Sequence, residues 1–196
     1  EQTPLIALEA VRLLHQAGIA PEVLQLLPGR GETVGAQLVA DARVAGVLFT
    51  GSTEVARLLN QQTAARLRAD GQPVVLIAET GGQNAMLVDS SALVEQAVQD
   101  IVASAFDSAG QRCSALRVLY VPKDSADNLI EGLKGALAAQ VVGDPADPST
   151  DIGPVIDAES RQSLEAHLAR LEKEAKIIAR AELADSVNNG AGAGDY

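Results

Sequence analysis

A single cysteine occurs in this 196-residue sequence, Cys113, within Gly110-Gln111-Arg112-Cys113-Ser114. A thiolate is a strong nucleophile at neutral pH. A Gly-containing turn between an apolar helical pattern and the strand-like run Arg117 to Val121 can present it to a cleft while the backbone stays fixed. Arg112 beside it would favour the thiolate, unless it points away as neighbours in an extended turn do. A lone cysteine is more often a small buried hydrophobe, so both readings stand on local grounds. Glu79 is the second group of interest. It closes an apolar run and precedes Gly81-Gly82, which lets a ligand or another backbone approach closely. A carboxylate there suits general-base work; a salt-bridged strand-end residue is an equal alternative.

Two glycine-bearing turns suggest phosphate chemistry. Gly51-Ser52-Thr53 follows a strand and opens a helix, so backbone dipoles and a hydroxyl could meet an anion; plain N-capping by Ser52 or Thr53 is the alternative. The series Gly29-x-Gly31-x-x-x-Gly35 resembles a dinucleotide fingerprint aimed at a pyrophosphate, but its spacing is off by one and no acidic residue closes the next strand. A plain tight turn explains it equally. With His15 and His167 the only imidazoles, no zinc cluster and no metal site is expected.

These groups must be positioned by regular elements. Thr3-Pro4 starts a helix whose apolar face, Ile6, Ala10, Leu13, Leu14 and Ala17, stops at Gly18. Strands are expected at Val23 to Leu27, Val44 to Thr50, Val74 to Ala78, Ala85 to Val88 and Arg117 to Val121. Helices carry Val55, Leu58, Leu59 and Leu67; then Val94, Val98, Ile101 and Val102, capped from Asp89-Ser90-Ser91; then Leu129, Ile130, Leu133 and Leu137 after Pro122. Asp157 caps a last helix whose Arg161/Glu165 and Glu172/Lys176 pairs suit a solvated face. Nearly all-apolar strands alternating with helices predict an α/β fold, a parallel Rossmann-like sheet with flanking helices leading into the first part of a second α/β catalytic domain. From Asp185 onward the pattern fails, and residues 185–196 read as a loose tail.

Hydrophobic residues make up 47% and aromatics 2%, so the core must be aliphatic. A formal net charge of −11 argues against nucleic acid and anionic membranes. No apolar run approaches the roughly 18 residues that span a bilayer, and no signal pattern opens the chain. One cysteine excludes an intramolecular disulfide. A reducing, cytoplasmic setting and a small-molecule substrate fit best.

In order and spacing, Phe49-Thr50-Gly51-Ser52-Thr53-Glu54, Glu79-Thr80-Gly81-Gly82 and Gly110-Gln111-Arg112-Cys113 resemble the aldehyde dehydrogenase superfamily. The runs Glu79 to Met86, Ser104 to Ala115 and Thr150 to Asp157 resemble the L-glutamate γ-semialdehyde dehydrogenase module of bifunctional proline utilization enzymes, as does Ala56 in Gly-Ser-Thr-Glu-Val-Ala. The resemblance covers residues 1 to about 180. It implies that Cys113 attacks an aldehyde, that the adduct is oxidised by NAD, and that Glu79 activates water to hydrolyse the resulting thioester. It implies oxyanion binding by the Cys113 backbone N–H. For NAD it implies Ser52 at the pyrophosphate with Gly51, Glu1 at the adenosine ribose, Gly31 beside the adenine and Thr80 at the nicotinamide. Ser114 would bind the substrate's α-carboxylate.

Against that pattern, residues 1–82 would be the later part of the NAD-binding domain and 83–184 the first part of the catalytic domain. The family's ribose-binding Lys, upstream oxyanion Asn, downstream ribose-binding Glu, substrate-anchoring loop and oligomerisation strand have no counterpart here. Neither has the proline dehydrogenase half with its FAD. The parent would be a homo-oligomer. Two other readings stay open: a non-catalytic folded fragment or nucleotide-binding module, and a dehydrogenase of another semialdehyde.

Overall fold

The computed structural model describes residues 3–183, so the expected tail at 185–196 lies outside the described residues. The chain divides between Thr80 and Gly81 into two compact units.

The first unit opens with helix α1, Pro4–Gln16, which has Pro at its first turn and no side-chain cap from Thr3. Gly18, at φ 102°, takes the left-handed conformation that ends it. Val23 to Leu27, expected as a strand, is not one. The Val23 and Leu24 amides both turn back to the Ala20 carbonyl, at 2.9 and 3.3 Å. Among the described residues no strand pairs with this segment, and an apolar run without a ladder partner has no reason to extend. A π-helical turn, Gly31–Gly35, runs into the short helix α2, Ala36–Ala40. Strand β1, Gly46–Gly51, leads through Ser52 into α3, Thr53–Ala64. Strand β2, Val75–Thr80, lies parallel to β1. Arg66 ties the unit's loops by donating to the carbonyls of Asp41 at 2.7 Å and Val44 at 3.0 Å.

The second unit pairs β3, Asn84–Leu87, in parallel with β4, Leu116–Tyr120. Between them runs α4, Val94–Phe106. Asp89, expected among its caps, instead closes a turn by accepting from the Ser91 hydroxyl at 2.6 Å and the Ser91 amide at 2.9 Å. Those bonds hold its carboxyl below the usual carboxylate range, the hydroxyl contributing most. Helix α5, Lys123–Ala139, packs on α4. The 3-and-4 apolar spacing of α4 delivers Val98, Ile101 and Val102 into a core closed by Leu116 and Leu129. Gly132 lets the two helices approach, since a Cβ there would sit 2.8 Å from Val98 Cγ2. Strand β5, Val141–Val142, pairs in parallel with β6, Glu182–Leu183. Helix α6, Ala158–Glu174, is capped as expected by Asp157, which accepts from the Ser160 amide at 2.8 Å. Arg161 pairs with Glu165 at 3.3 Å, whereas Glu172 pairs with Arg180 at 2.6 Å instead of Lys176. The α6 helix ends at Glu174, so position 176 no longer shares a helical face with position 172.

Among the described residues the three strand pairs are parallel; the apolar strand pattern predicts this for β1–β2 and β3–β4, whereas β5 and β6 are not among the expected strands. Each is two strands wide.

Candidate active site

In the first unit, register places Thr50 beside Glu79 and Gly51 beside Thr80. The carboxyl ends of β1 and β2 therefore gather Gly51, Ser52, Glu79 and Thr80 at the edge where parallel α/β sheets bind ligands. Glu79 lies inside the strand, not beyond it, and is exposed. Ser52 is the N-cap of α3, and its Oγ accepts from the Val55 amide at 3.2 Å. Capping is thus what the hydroxyl does here, while its own proton can still be donated to a second acceptor. Gly51 has no room for a side chain, since a Cβ would run into the Phe49 ring.

Gly31 lines a groove of about 410 Å³ with Gly35, Val39, Phe49, Val55 and Leu58. The groove thus reaches from the Gly31 turn to the first turn of α3, which Ser52 caps. The amides of Thr33, Val34 and Gly35, however, all point to the Arg30 carbonyl, at 3.1, 2.9 and 3.4 Å. A Cβ on Gly29 would collide with the Val34 side chain. The glycine series therefore folds as a tight turn with its later amides committed, not as a pyrophosphate cradle, and Gly31 serves as groove wall. Glu1 lies outside the described residues.

In the second unit the thiol sits on a turn with unusual backbone. Ser108 (φ 57°), Ala109 (φ 54°) and Gly110 (φ 66°) are consecutive left-handed residues between α4 and β4. Each non-glycine residue in that region costs about 1–2 kcal/mol, so a run of them persists only where surrounding contacts over-determine it. Gly110 is buried, and a Cβ there would meet the Ala105 carbonyl at 2.8 Å and Arg117 Nη1 at 3.0 Å.

Arg117 Nη2 donates to the Gly110 carbonyl at 2.6 Å. Arg112 Nη2 donates to the Ala103 carbonyl at 2.6 Å and to that of Ser104 at 3.3 Å, near the C-terminal end of α4. Its guanidinium answers the carbonyl end of a helix, where cations are favoured, so the reading in which Arg112 points away from the thiol is the correct one. Asn84 Nδ2 donates to the Cys113 carbonyl at 2.7 Å and to the Ala115 carbonyl at 3.0 Å. Cys113 itself is a free, exposed thiol, and Ser114 beside it is exposed. The buried-hydrophobe reading of the cysteine therefore fails.

Each candidate residue is placed by its own unit: Gly31, Gly51, Ser52, Glu79 and Thr80 by the first, Cys113 and Ser114 by the second. Asn84 and Arg117 were not evident as site residues from the sequence. The one available signal was Asn84's place directly after Gly81-Gly82-Gln83, at the start of a strand. Among the described residues no group of three or more His, Cys, Asp or Glu could hold a metal, and no helix is long and apolar enough to cross a membrane.

The bifunctional protein PutA of Escherichia coli K12 is 58% identical over 181 residues, 92% of this chain and 14% of that protein. The chain superposes with a TM-score of 0.86 on a crystal structure of a Bradyrhizobium japonicum proline utilization A (PutA) variant, at 53% identity over 94% of this chain and 19% of the other. It superposes with a TM-score of 0.72 on a 1-pyrroline-5-carboxylate dehydrogenase from Thermus with bound NAD, at 32% identity over 82% of this chain and 31% of the other. This chain therefore spans about a seventh of the PutA relative's length. The aldehyde dehydrogenase family model matches residues 1–193, taking in both the strand ends of the first unit and the thiol turn of the second, and the chain belongs to that family.

Proposed function

We propose that this chain carries the thiol, the general base and part of the cofactor site of an NAD-dependent aldehyde dehydrogenase that oxidises L-glutamate γ-semialdehyde to L-glutamate in proline catabolism. The observation that carries the reading is the exposed Cys113 on a braced left-handed turn. The names of the relatives, PutA and 1-pyrroline-5-carboxylate dehydrogenase, support a semialdehyde of proline catabolism as the substrate.

The Cys113 sulfur adds to the aldehyde carbon, forming a C–S bond and a thiohemiacetal oxyanion that the Cys113 backbone N–H helps hold. NAD would supply the acceptor for the hydride that this carbon gives up, the carbon remaining on Cys113 as a thioester. Glu79 takes a proton from water as the water attacks the thioester carbonyl; the C–S bond breaks, the acid leaves and the thiolate is restored. Ser114, beside the thiol, offers its hydroxyl to the substrate's α-carboxylate.

The first unit suits the dinucleotide. Its groove has a wall of Val39, Phe49, Val55 and Leu58 fitting a flat heterocycle, with Gly31 beside it. Ser52 and Gly51, at the N-terminus of α3, suit the pyrophosphate, Thr80 the nicotinamide end, and Glu1 the adenosine ribose. In this reading residues 1–82 complete an NAD-binding domain and 83–184 begin the catalytic domain. FAD belongs to a separate proline dehydrogenase half. The parent enzyme is a cytoplasmic homo-oligomer whose partner is the small aldehyde, and this segment contributes no nucleic-acid binding and no membrane insertion.

The test is Cys113→Ala in the full-length protein: NADH formation disappears while NAD still binds, and full turnover in that variant would remove Cys113 from its role. A second reading, a folded nucleotide-binding module without activity of its own, is favoured by the 14% share of the PutA relative that this chain spans. Assaying the 196-residue chain beside the full-length protein separates the two.

A further inference from the structure

Gln111 lies within the thiol turn, two residues before Cys113, and is the one side chain there that reaches a distant part of the unit in both hydrogen-bonding directions. Its Oε1 accepts from the Ile156 amide at 2.8 Å. Its Nε2 donates to the Pro154 carbonyl at 3.3 Å and to the Ser108 carbonyl at 3.0 Å. The side-chain amide therefore pairs with a backbone segment as a strand neighbour would, using donor and acceptor together. Through Ser108 it also grips the first of the three left-handed residues.

The segment it grips is itself anchored. Ile152 is buried and bridges to Val142, and the Gly143 amide donates to the Ile152 carbonyl at 2.9 Å. Gly153 packs on Pro145, where a Cβ would come within 2.9 Å of the proline ring. On the far side, Asp157 caps α6. Residues 154–156 are thus held between a buried bridge and a helix start, and Gln111 links the turn to that frame.

A left-handed run containing Ser108 and Ala109 would relax if its supports were removed, because both residues prefer right-handed or extended backbone. Arg117 holds the turn at Gly110 and Asn84 holds the Cys113 carbonyl. Gln111 connects the turn to the loop before α6. Small errors in placing a nucleophile are expensive: about 1 Å of misplacement can reduce a rate by ~100-fold.

We propose that Gln111 is a positioning residue for the Cys113 nucleophile, acting by bonding the left-handed turn to the backbone of Pro154 and Ile156. The proposal rests on Cys113 being the attacking group. It implies that the loop before α6 is part of the thiol's mounting and that its shape is read out at the sulfur.

The test uses the full-length protein with Gln111→Ala, Gln111→Glu and Cys113→Ala. Steady-state turnover and the iodoacetamide alkylation rate of Cys113 are measured together, the latter by mass spectrometry of the peptide that carries it. In Gln111→Ala, kcat is expected to fall by about 10-fold or more with KM for the aldehyde within about threefold, while alkylation proceeds within about twofold of the wild-type rate. That combination marks a thiol that is intact but poorly aimed. Gln111→Glu keeps the acceptor for the Ile156 amide but turns a carboxylate oxygen on the Ser108 and Pro154 carbonyls, so its kcat falls at least as far as that of Gln111→Ala.

Wild-type kcat in a folded Gln111→Ala variant overturns the proposal. So does a loss of turnover matched by an equal loss of alkylation, which is the signature of general collapse. If Gln111→Ala gives no cooperative thermal transition, Gln111→Glu is read in its place: a loss of kcat of about 10-fold or more with alkylation within about twofold of the wild-type rate is expected, and wild-type turnover overturns the proposal. Turnover in Cys113→Ala would instead overturn the nucleophile assignment beneath it, so the two failures are distinct.

Discussion

Asn84 holds the carbonyl of Cys113 at 2.7 Å and that of Ala115 at 3.0 Å through one side-chain nitrogen. The bond crosses from the first residue of β3 to the loop before β4, where the strand register slips between Asn84 and Ala85. Asn84 still pairs with Leu116, but the shift makes the ladder irregular beside the loop that carries the two carbonyls. A side-chain amide supplies what the sheet does not.

Replacing Asn84 by Ala therefore leaves two carbonyls beside the thiol short of a donor. Net stability falls by about 1–3 kcal/mol, measured by urea unfolding. In the full-length protein, kcat falls by more than the stability loss alone explains, because the Cys113 backbone is freed at the same time. Asn84→Asp is worse than Ala, since a carboxylate facing carbonyl oxygens repels them.

Gly110→Ala tests the turn from the other side. A methyl group would stand 2.8 Å from the Ala105 carbonyl and 3.0 Å from Arg117, on a residue at φ 66°. One neighbour is backbone and cannot yield, so a loss of at least about 1–3 kcal/mol is expected in thermal or urea unfolding, together with loss of turnover in the full-length protein. Ala109→Gly at the preceding left-handed residue is expected to stabilise by about 0.5–1 kcal/mol, because there the glycine removes strain.

Leu129 is 2% exposed and closes the core between α4, α5 and β4. Leu129→Ala is expected to destabilise the second unit by about 2–5 kcal/mol in urea unfolding, leaving a cavity beside Val98 and Ile101.

Asp41 provides a pH-dependent check on the first unit. The Arg43 guanidinium donates to its two oxygens at 2.9 and 2.7 Å, and the Arg43 amide adds a bond at 2.9 Å. The side-chain hydrogen bond is the main cause of a carboxyl held far below the ordinary range. A folded-state value depressed below the unfolded one gives stabilisation that is present above about pH 4 and disappears as pH falls through the folded value. The melting temperature of Asp41→Asn should accordingly lie below wild type at pH 6, with the gap narrowing steadily below pH 4. A gap that widens in acid would contradict the assignment.

What could be read in advance divides along physical lines. Helix α4 was legible because Val94, Val98, Ile101 and Val102 recur at helical spacing and all face one core. The parallel pairing of β1 with β2 followed from strands apolar at nearly every position. Val23 to Leu27 misled, because an apolar run says nothing about whether a ladder partner exists. The left-handed turn was invisible: Ser108 and Ala109 carry no preference for that conformation, which is supported by Arg117 and Asn84 from outside the turn and by the bonds of Gln111 to Pro154 and Ile156. The types of the candidate residues were legible from local pattern; the braces that hold the thiol were not, because each is a contact between residues distant in the chain.

The two-strand width of each pair has a colloidal consequence. Among the described residues the outer edges of the β1–β2 and β3–β4 pairs take no further strand, and apolar side chains such as Leu48 and Leu87 are 82% and 78% exposed. Such edges template pairing between copies. The opposing force is the net charge of −11, which makes copies repel. That repulsion has a range of about 30 Å at 0.01 M salt and about 8 Å at 0.15 M. Ionic strength, by shortening it, decides whether the isolated chain stays dispersed or grows ribbons edge to edge.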